Sequence, residues 1–286
     1  MEPILIIMEK FNICIVRPPA YRWSSVFFEL AELIAFSLQD NGYLTQVTEN
    51  HLAPTGMNLI IGCHLMDVSV TPQIPSDTII LNTEQLGVGL DIWNQRILHF
   101  VQRFASWDYS ADNIVKFKKL GIAEPKWLKF GYHPKLNRIT STTDKDIDVL
   151  FYGNLNEPRL QILNEIERRG ARVAKLFGVF GTERDAYIAR SKLVLNLHQH
   201  QTKVFEIVRV HYLMNNSKAI VSQCDADTKI DPNYMDGLLL ADYDSLVDKC
   251  LAAIESAPLL QACEQRSLAT LKQFDAVSII GEMVAA

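Results

Sequence analysis

The segment 193–222, LVLNLHQHQTKVFEIVRVHYLMNNSKAIVS, is the most informative part of the sequence for the fold. The apolar run 193–197 is followed by a polar loop, a helical pattern over 204–214 and a second apolar run at 219–222. Apolar runs of this length are typical of strands buried on both faces of a parallel sheet, and a helix between two such strands makes a βαβ unit. The stretch therefore predicts an α/β fold.

The same alternation of strands and helices runs through the rest of the chain. The remaining predicted strands are 12–16, 44–48, 58–62, 78–82, 149–152 and 173–177, and two or three helices follow residue 244. The polar segment 140–148, TSTTDKDID, is the best linker candidate. We therefore predict the fold class α/β, with two Rossmann-like domains, 1–140 and 141–286, that face each other across a central cleft.

The composition excludes several classes of protein. The 286 residues carry 28 Lys+Arg against 33 Asp+Glu, and 48% of them are hydrophobic, as in ordinary globular proteins. The net charge of −5 argues against a bulk nucleic-acid binder. No apolar run reaches the ~18 residues of a membrane span, and the N-terminus lacks the pattern of a secretory signal. The five cysteines are widely spaced, which favours reduced thiols and a cytoplasmic location.

Several nucleotide-binding and catalytic motifs are absent from the sequence. It contains no complete G-x-G-x-x-G, no P-loop, no G-x-S-x-G and no H-E-x-x-H. Asp225-Ala-Asp227 matches the D-x-D spelling that holds a divalent cation in some transferases. Two acidic residues in a polar loop are common by chance, so we interpret this pair as structural.

The start of the helix predicted near Lys203 offers chemistry for a phosphate. Its free N–H groups and partial positive charge favour an anion, and Lys203 and Arg209 add donors. Glu206 is suited to accept hydrogen bonds from sugar hydroxyls. An ordinary amphipathic helix with a Glu206–Arg209 surface pair explains the same residues equally well.

Longer pieces of the sequence are similar to one known family. They are DVLFYGNLNEPR (148–159), LFGVFGTERD (176–185), LNLH (195–198), KVFEIVRVHYL (203–213) and AIVS (219–222), with LNTEQL (81–86), WDYSADN (107–113) and GYHP (131–134) nearer the N-terminus. On these pieces, from about 80 to 222, the chain resembles the bacterial GT-B-type glycosyltransferases of the "glycosyl transferases group 1" kind.

The resemblance implies a donor site in the second domain and an acceptor site in the first. It also implies that the last helix packs back on the first domain, and that no metal or other cofactor is needed, because protein groups neutralise the donor's diphosphate. At Gly153 a larger side chain would crowd the donor. The residues implied to bind the donor are Gly153, Asn154, Asn156, Arg159, Gly178, His198, Lys203, Glu206 and Arg209.

Two positions depart from the family's pattern. Retaining members often carry E-x7-E, whereas here Met214 stands eight residues after Glu206. Related sequences commonly have Glu where this chain has Gln223. Retention and inversion of the anomeric configuration both stay open.

Glu84 is the predicted catalytic base. An inverting transfer needs a carboxylate or His near the acceptor hydroxyl, and Glu84 follows the predicted strand 78–82 at its carboxyl end. Asp108 and His64 are rival candidates. A loop carboxylate that caps a neighbouring helix is the structural alternative for Glu84.

The predicted function is transfer of a hexosyl-type sugar from a UDP-, GDP- or dTDP-sugar to a glycan, lipid-linked or small-molecule acceptor, as in polysaccharide biosynthesis. Two other classes are open. A nucleotide-sugar epimerase of the same fold would need no acceptor. A non-catalytic nucleotide- or sugar-binding module would bind donor without turnover, and the short chain gives this alternative some weight.

The segment 114–140 is basic within an acidic chain. It is either a solvated helix face and linker, or a patch for an anionic acceptor or for peripheral contact with the inner face of a membrane. Its charged residues are Lys116, Lys118, Lys119, Lys126, Lys129, Lys135 and Arg138 against Glu124.

Overall fold

The structure is a computed structural model that describes residues 9–87, 91–199 and 203–285. The chain divides into two compact units. The first consists of Met1–Lys129 with Ala276–Ala286, and the second of Phe130–Asp275. Each unit contains one sheet in which all the described strand pairs are parallel, flanked by helices. The predicted α/β fold class with two Rossmann-like domains is therefore confirmed.

The first unit is built on a six-stranded sheet with the order β2-β1-β3-β4-β5-β6. Its central strands are buried on both faces, which explains their continuous runs of Ile and Leu. The strands are β1 (Lys10–Ile15), β2 (Leu44–Glu49), β3 (Met57–Ile61), β4 (Ile79–Asn82), β5 (Ala105–Asp108) and β6 (Lys126–Trp127). The helices are α1 (Phe28–Asp40), α2 (Asp91–Val101), α3 (Ala111–Lys119) and the C-terminal α9 (Ala276–Ala285).

The last helix, α9, packs on α1 of the first unit. Asn41, just after α1, donates a hydrogen bond of 2.8 Å to the carbonyl of Val277. Gly281 permits the close approach, because a Cβ there would lie 2.7 Å from Asn41 Oδ1. The predicted return of the C-terminal helix to the first domain is confirmed.

The second unit is built on a five-stranded sheet with the order β11-β10-β9-β7-β8. Its strands are β7 (Ile147–Tyr152), β8 (Val173–Leu176), β9 (Ser191–Asn196), β10 (Ile220–Gln223) and β11 (Leu239–Ala241). Its helices are α4 (Glu157–Arg168), α5 (Gly181–Arg190), α6 (Ile207–Asn215), α7 (Leu246–Ile254) and α8 (Ala257–Leu271). Because β7, β9 and β10 are neighbours, the residues that follow them meet at one edge of the sheet.

The boundary between the units falls after Lys129, earlier than the predicted boundary after Thr140. The intervening segment belongs to the second unit because its backbone is held there by hydrogen bonds. The N–H and carbonyl of Phe130 both bond the hydroxyl of Tyr234, at 3.0 and 2.8 Å. Asn216 accepts hydrogen bonds from the backbone of residues 138 and 139.

The prediction that a helix begins near Lys203 is wrong. Helix α6 begins at Ile207, and Val204 instead forms a parallel bridge with Lys229. Lys203 has a positive φ of 49°, which no helix accommodates. The apolar residues before Ile207 resemble a helical turn in sequence but pair with a distant segment of chain.

Candidate active site

The carboxyl ends of β7, β9 and β10 and the first residues of α4 and α6 bring most of the predicted donor-site residues together. They are Gly153, Asn154, Asn156, Arg159, His198, Lys203, Glu206 and Arg209, which are linked by the contacts described below. Gly178 lies after β8, the edge strand beside β7, and has a φ of +70°. Ligands of open α/β sheets bind at this edge.

Arg159, in the first turn of α4, clamps the loop after β9. Its buried guanidinium donates to the carbonyls of Asn154 at 2.8 Å, of His198 at 3.1 Å and of Leu197, and to the side chain of Gln199. Burial and the nearby charge of Arg209 lower its pKa to about 10. Arg159 therefore stays charged at pH 7, but its N–H groups are already hydrogen-bonded to the loops around it.

Asn156 and Asn154 belong to the same clamp. The Asn156 side chain caps α4 by accepting from the N–H of Arg159 at 3.2 Å, and it donates to the Gln199 carbonyl at 3.2 Å. Asn154 is exposed and contributes its carbonyl to Arg159. These residues fix the shape of the loops around the site.

Arg209, in the first turn of α6, is free of any carboxylate partner in the described part of the chain. It donates one hydrogen bond of 3.0 Å, to Asn196 Oδ1. Gly153 makes room for its guanidinium, because a Cβ at Gly153 would lie 2.7 Å from one of its terminal nitrogens. A larger side chain at Gly153, which was expected to crowd the donor, would therefore crowd the Arg209 side chain.

Arginines and aromatic rings alternate in a ladder along this edge. Each arginine lies 4.7 to 5.7 Å from a ring centroid, within the range of cation–π attraction. Carboxylates also approach the ladder, since Asp185 lies 2.7 Å from Arg184 and Glu206 lies 3.7 Å from Arg159. In order, its members are Arg159, Phe151, Arg209, Tyr152, Arg184, Tyr212 and Arg138.

His198 is buried at the end of β9. Its backbone N–H donates to the Gln223 side-chain oxygen at 3.1 Å, and its Nε2 lies 3.0 Å from the Thr228 hydroxyl. Burial lowers its pKa, so the ring is neutral at pH 7. Its Nδ1 is buried and has no hydrogen-bond partner within the described ranges.

Lys203 is engaged by the D-x-D pair. Its ammonium lies 3.1 Å from Asp225 and 2.8 Å from Asp227, and the hydrogen bonds that it donates to Asp227 and Asp225 raise its pKa. The two aspartates thus hold a lysine, and no group of three potential metal ligands occurs among the described residues. Glu206 stands just before α6 with a quarter of its side chain exposed.

Three residues of this edge were missed by the sequence-based prediction of the site. Asn196 orients Arg209, while Gln223 and Thr228 hold His198. Gln223 uses both ends of its amide, since it also donates to Asp225 at 2.8 Å. A Glu at this position would lack that donor, which gives a physical reason for the departure from the family's pattern.

In the first unit, Glu84, His64 and Asp108 lie at the adjacent carboxyl ends of β4, β3 and β5. Glu84 is partly exposed, and its carboxylate lies 3.7 Å from His64 Nε2. Burial, with the charge of Arg96, lowers the pKa of His64 to about 4, so this contact is not an ion pair at pH 7. Asp108 is fully buried, and burial raises its pKa to about 7 against several hydrogen bonds.

The basic segment 114–140 is partly neutralised within the chain. Lys116 pairs with Asp112 at 2.8 Å, Lys118 with Glu124 at 2.9 Å, and Lys126 donates to the Met283 carbonyl at 2.8 Å. The structure contains no helix, among the residues described, that is long and apolar enough to cross a membrane.

No protein-family model matches the chain. Two uncharacterized proteins of Acanthamoeba polyphaga mimivirus are similar to it in sequence. L137 is 27% identical over 208 residues, which are 70% of this chain and 28% of that protein. L140 is 28% identical over 184 residues, 60% of this chain and 58% of that protein. The chain thus spans less than two thirds of either relative, and the bacterial origin in the family prediction stays a prediction.

Solved structures of glycosyltransferases share the fold. WaaG, a glycosyltransferase involved in lipopolysaccharide biosynthesis, aligns with a TM-score of 0.60 over 96% of this chain and 98% of that one, at 9% identity. Anabaena HepE in complex with UDP gives 0.60 over 97% and 99%, at 13% identity. T4 phage BGT with its UDP-glucose substrate gives 0.57 over 96% and 97%, at 11% identity. The chain therefore has a GT-B fold.

Proposed function

We propose that this protein is a glycosyltransferase that takes a sugar from a nucleotide-diphosphate donor. The donor binds at the carboxyl edge of the second unit's sheet, and the acceptor binds near Glu84 in the first. Protein groups neutralise the diphosphate, so the reaction proceeds without a metal. UDP-, GDP- and dTDP-sugars are the donors to test, with hexoses as the sugars.

The observation that carries this proposal is the state of Arg209. Its guanidinium is held by Asn196 and by the Phe151 and Tyr152 rings, yet it has no carboxylate partner in the part of the chain that is described. A partly buried guanidinium held in one orientation is suited to bidentate recognition of phosphate. A bound diphosphate would also offset the repulsion between Arg159 and Arg209.

The fold supports the same assignment. Among proteins of this fold, HepE was solved in complex with UDP and T4 phage BGT with UDP-glucose. Neutral His198 lies at the same edge of the sheet, and its buried Nδ1, which has no hydrogen-bond partner among the described residues, is a further polar group for the donor.

Glu84 is proposed as the general base. The two rivals are poorly placed for this role, because Asp108 is completely buried and His64 is 2% exposed. Glu84 is the one of the three that reaches solvent, where an acceptor hydroxyl arrives. As the bond to the donor breaks, Arg209 stabilises the charge that grows on the leaving diphosphate.

The acceptor is proposed to be a glycan, a lipid-linked molecule or a small molecule, handled in the cytoplasm. Peripheral contact with an anionic membrane through segment 114–140 is supported by exposed apolar groups next to basic ones. Leu120 is 59% exposed beside Lys119, and Trp127 is 38% exposed with Lys129 over its ring. Binding to anionic vesicles that weakens with added salt supports this contact; binding to neutral vesicles alone contradicts it.

The test is a panel of nucleotide sugars, with release of the nucleoside diphosphate and thermal shift as readouts. A glycosyltransferase releases the nucleoside diphosphate from one donor and attaches the sugar to an acceptor or to water. No release, no transfer and no thermal shift with any donor would contradict the proposal. A converted nucleotide sugar in the products identifies an epimerase, and a thermal shift without turnover identifies a binding module.

A further inference from the structure

A buried polar cluster formed by Asn82, Asp108 and Asn113 lies next to the loop that carries Glu84. Asn82 ends β4 and Asp108 ends β5, and the two residues are paired in register. Asn113 comes from the first turn of α3. Their exposed fractions are 1%, 0% and 0%, and polar groups at this depth are stable only when hydrogen-bonded.

Both carboxamides bridge the Asp108 carboxylate and the backbone of Glu84. Asn82 donates to Asp108 at 2.7 Å and to the Glu84 carbonyl at 2.9 Å. Asn113 donates to Asp108 at 3.1 Å and to the same carbonyl at 2.8 Å. Their oxygens accept the N–H groups of Glu84 at 3.1 Å and of Leu86 at 2.9 Å. The two amides therefore hold the Glu84 loop by hydrogen bonds to three backbone atoms, which are the carbonyl oxygen and the nitrogen of Glu84 and the nitrogen of Leu86.

The orientation of the two amides depends on Asp108. If either carboxamide turned over, its oxygen would face the carboxylate and its N–H groups would leave the Glu84 carbonyl. The N–H of Ser110 also donates to Asp108, at 2.8 Å, so the groups that bond this carboxylate are all donors. An ionised acceptor at position 108 thus selects one arrangement of the cluster.

We propose that Asp108 is a positioning residue, whose carboxylate locks Asn82 and Asn113 in the orientation that fixes Glu84 for catalysis. This proposal rests on the proposed function, in which Glu84 is the base. Asp108 acts only through the two amides, since its complete burial keeps it from the acceptor.

Protonation of Asp108 would loosen the loop. Burial raises its pKa to about 7, and the charge of Lys116 on α3 opposes this shift. Cys63 is also coupled to this carboxylate, because burial and then the charges of Glu84 and Asp108 raise the pKa of its thiol to about 12. A proton on Asp108 must point at one of the donor N–H groups and break that hydrogen bond. We therefore expect kcat to fall as the pH drops below about 7.

Hydrogen exchange tests the geometry without requiring activity. Asp108→Asn is compared with Ile80→Val, a buried substitution in β4 that leaves the cluster intact. We expect the amides of Glu84 and Leu86 to exchange at least tenfold faster in Asp108→Asn than in the control. If Asp108→Asn does not fold, Asn113→Ser is used as the variant in its place, because it removes the hydrogen bonds of Asn113 to the backbone of Glu84 and Leu86. Equal protection of both amides in variant and control would overturn the proposal.

Kinetics test the catalytic consequence. Asp108→Asn should lower kcat at least tenfold, leave the donor KM within twofold of wild type, and lose the fall in kcat below pH 7. Ile80→Val should keep that fall. A variant with the control's kcat, or with a donor KM raised as much as kcat is lowered, would overturn the positioning role. Wild-type protein that turns over no donor instead contradicts the proposed function, and the exchange data then still decide whether Asp108 holds the loop.

Discussion

Replacing Gly153 by alanine should have two effects, one on the stability of the second unit and one on the position of Arg209. Gly153 follows β7 with a φ of +137°, a conformation that L-residues rarely adopt. The backbone strain of such a residue is about 1–3 kcal/mol, so Gly153→Ala should lower the free energy of unfolding by that order. The new Cβ would also lie 2.7 Å from the Arg209 guanidinium, closer than any real contact, and the flexible arginine must move.

The displaced guanidinium should cost donor affinity. Moving it breaks the 3.0 Å hydrogen bond to Asn196 and the alignment over the Phe151 and Tyr152 rings. A lost charge-assisted contact with a phosphate contributes about 1.5–3 kcal/mol, which is roughly a ten- to hundredfold rise in the donor's Kd. Calorimetric titration with the preferred nucleoside diphosphate measures this change.

Gly170→Ala is the matched control. Gly170 follows α4 with a φ of +100°, and a Cβ there meets nothing within 4 Å. Both variants should lose stability in thermal unfolding, but only Gly153→Ala should lose donor affinity. In the double variant Gly153→Ala/Arg209→Ala, the affinity should equal that of Arg209→Ala alone, because the two changes act on one contact. Wild-type affinity in Gly153→Ala, or an equal loss in Gly170→Ala, would refute the assigned role of Arg209.

Three further predictions concern single side chains. Glu84→Gln should lower kcat about a hundredfold or more in a steady-state transfer assay, with the donor KM unchanged, because a general base contributes ~10²–10⁴ to the rate; an unchanged kcat excludes Glu84 as the base. Gln223→Glu should lower stability by about 1–3 kcal/mol in urea unfolding at pH 7, since it places a second carboxylate beside Asp225, and the loss should shrink in acid; a loss independent of pH would contradict this reason. Hydrogen bonds from Arg172, and from Lys192, hold the pKa of Asp148 well below its usual range, so its stabilisation is present above about pH 4 and lost as the pH falls. The free energy of unfolding, measured from pH 5 to 2, should therefore decline less steeply in Asp148→Asn than in wild type. Parallel curves for the two proteins would contradict this role of Asp148.

Hydrophobic periodicity was sufficient to predict the fold because the central strands are buried on both faces. The strands β3, β4, β7 and β9 each contain at least three consecutive apolar residues. Strand β5 was not predicted, because its sequence ASWD is short and half polar. The start of α6 was predicted too early for a different reason. Val204 pairs with Lys229, and the local sequence pattern does not reveal a partner so distant along the chain.

The composition of the candidate donor site was predictable, but the task of each side chain was not. Arg159 and Arg209 looked equivalent in sequence. Strand order then brings the loop after β9 beside α4, so Arg159 meets backbone carbonyls and Arg209 does not. In the same way, Lys203 meets Asp225 only because β10 lies next to β9. These assignments depend on which strands are neighbours, which a single sequence does not reveal.

Binding of the nucleotide-sugar donor is proposed to depend on Arg209. Calorimetric titration of wild type and Arg209→Ala with UDP, GDP and dTDP tests it most directly. We predict that wild type binds one of the three and that Arg209→Ala binds the same nucleotide at least tenfold more weakly while unfolding at a similar temperature. Binding of none of them by wild type, or equal affinity in the two proteins, would contradict the claim.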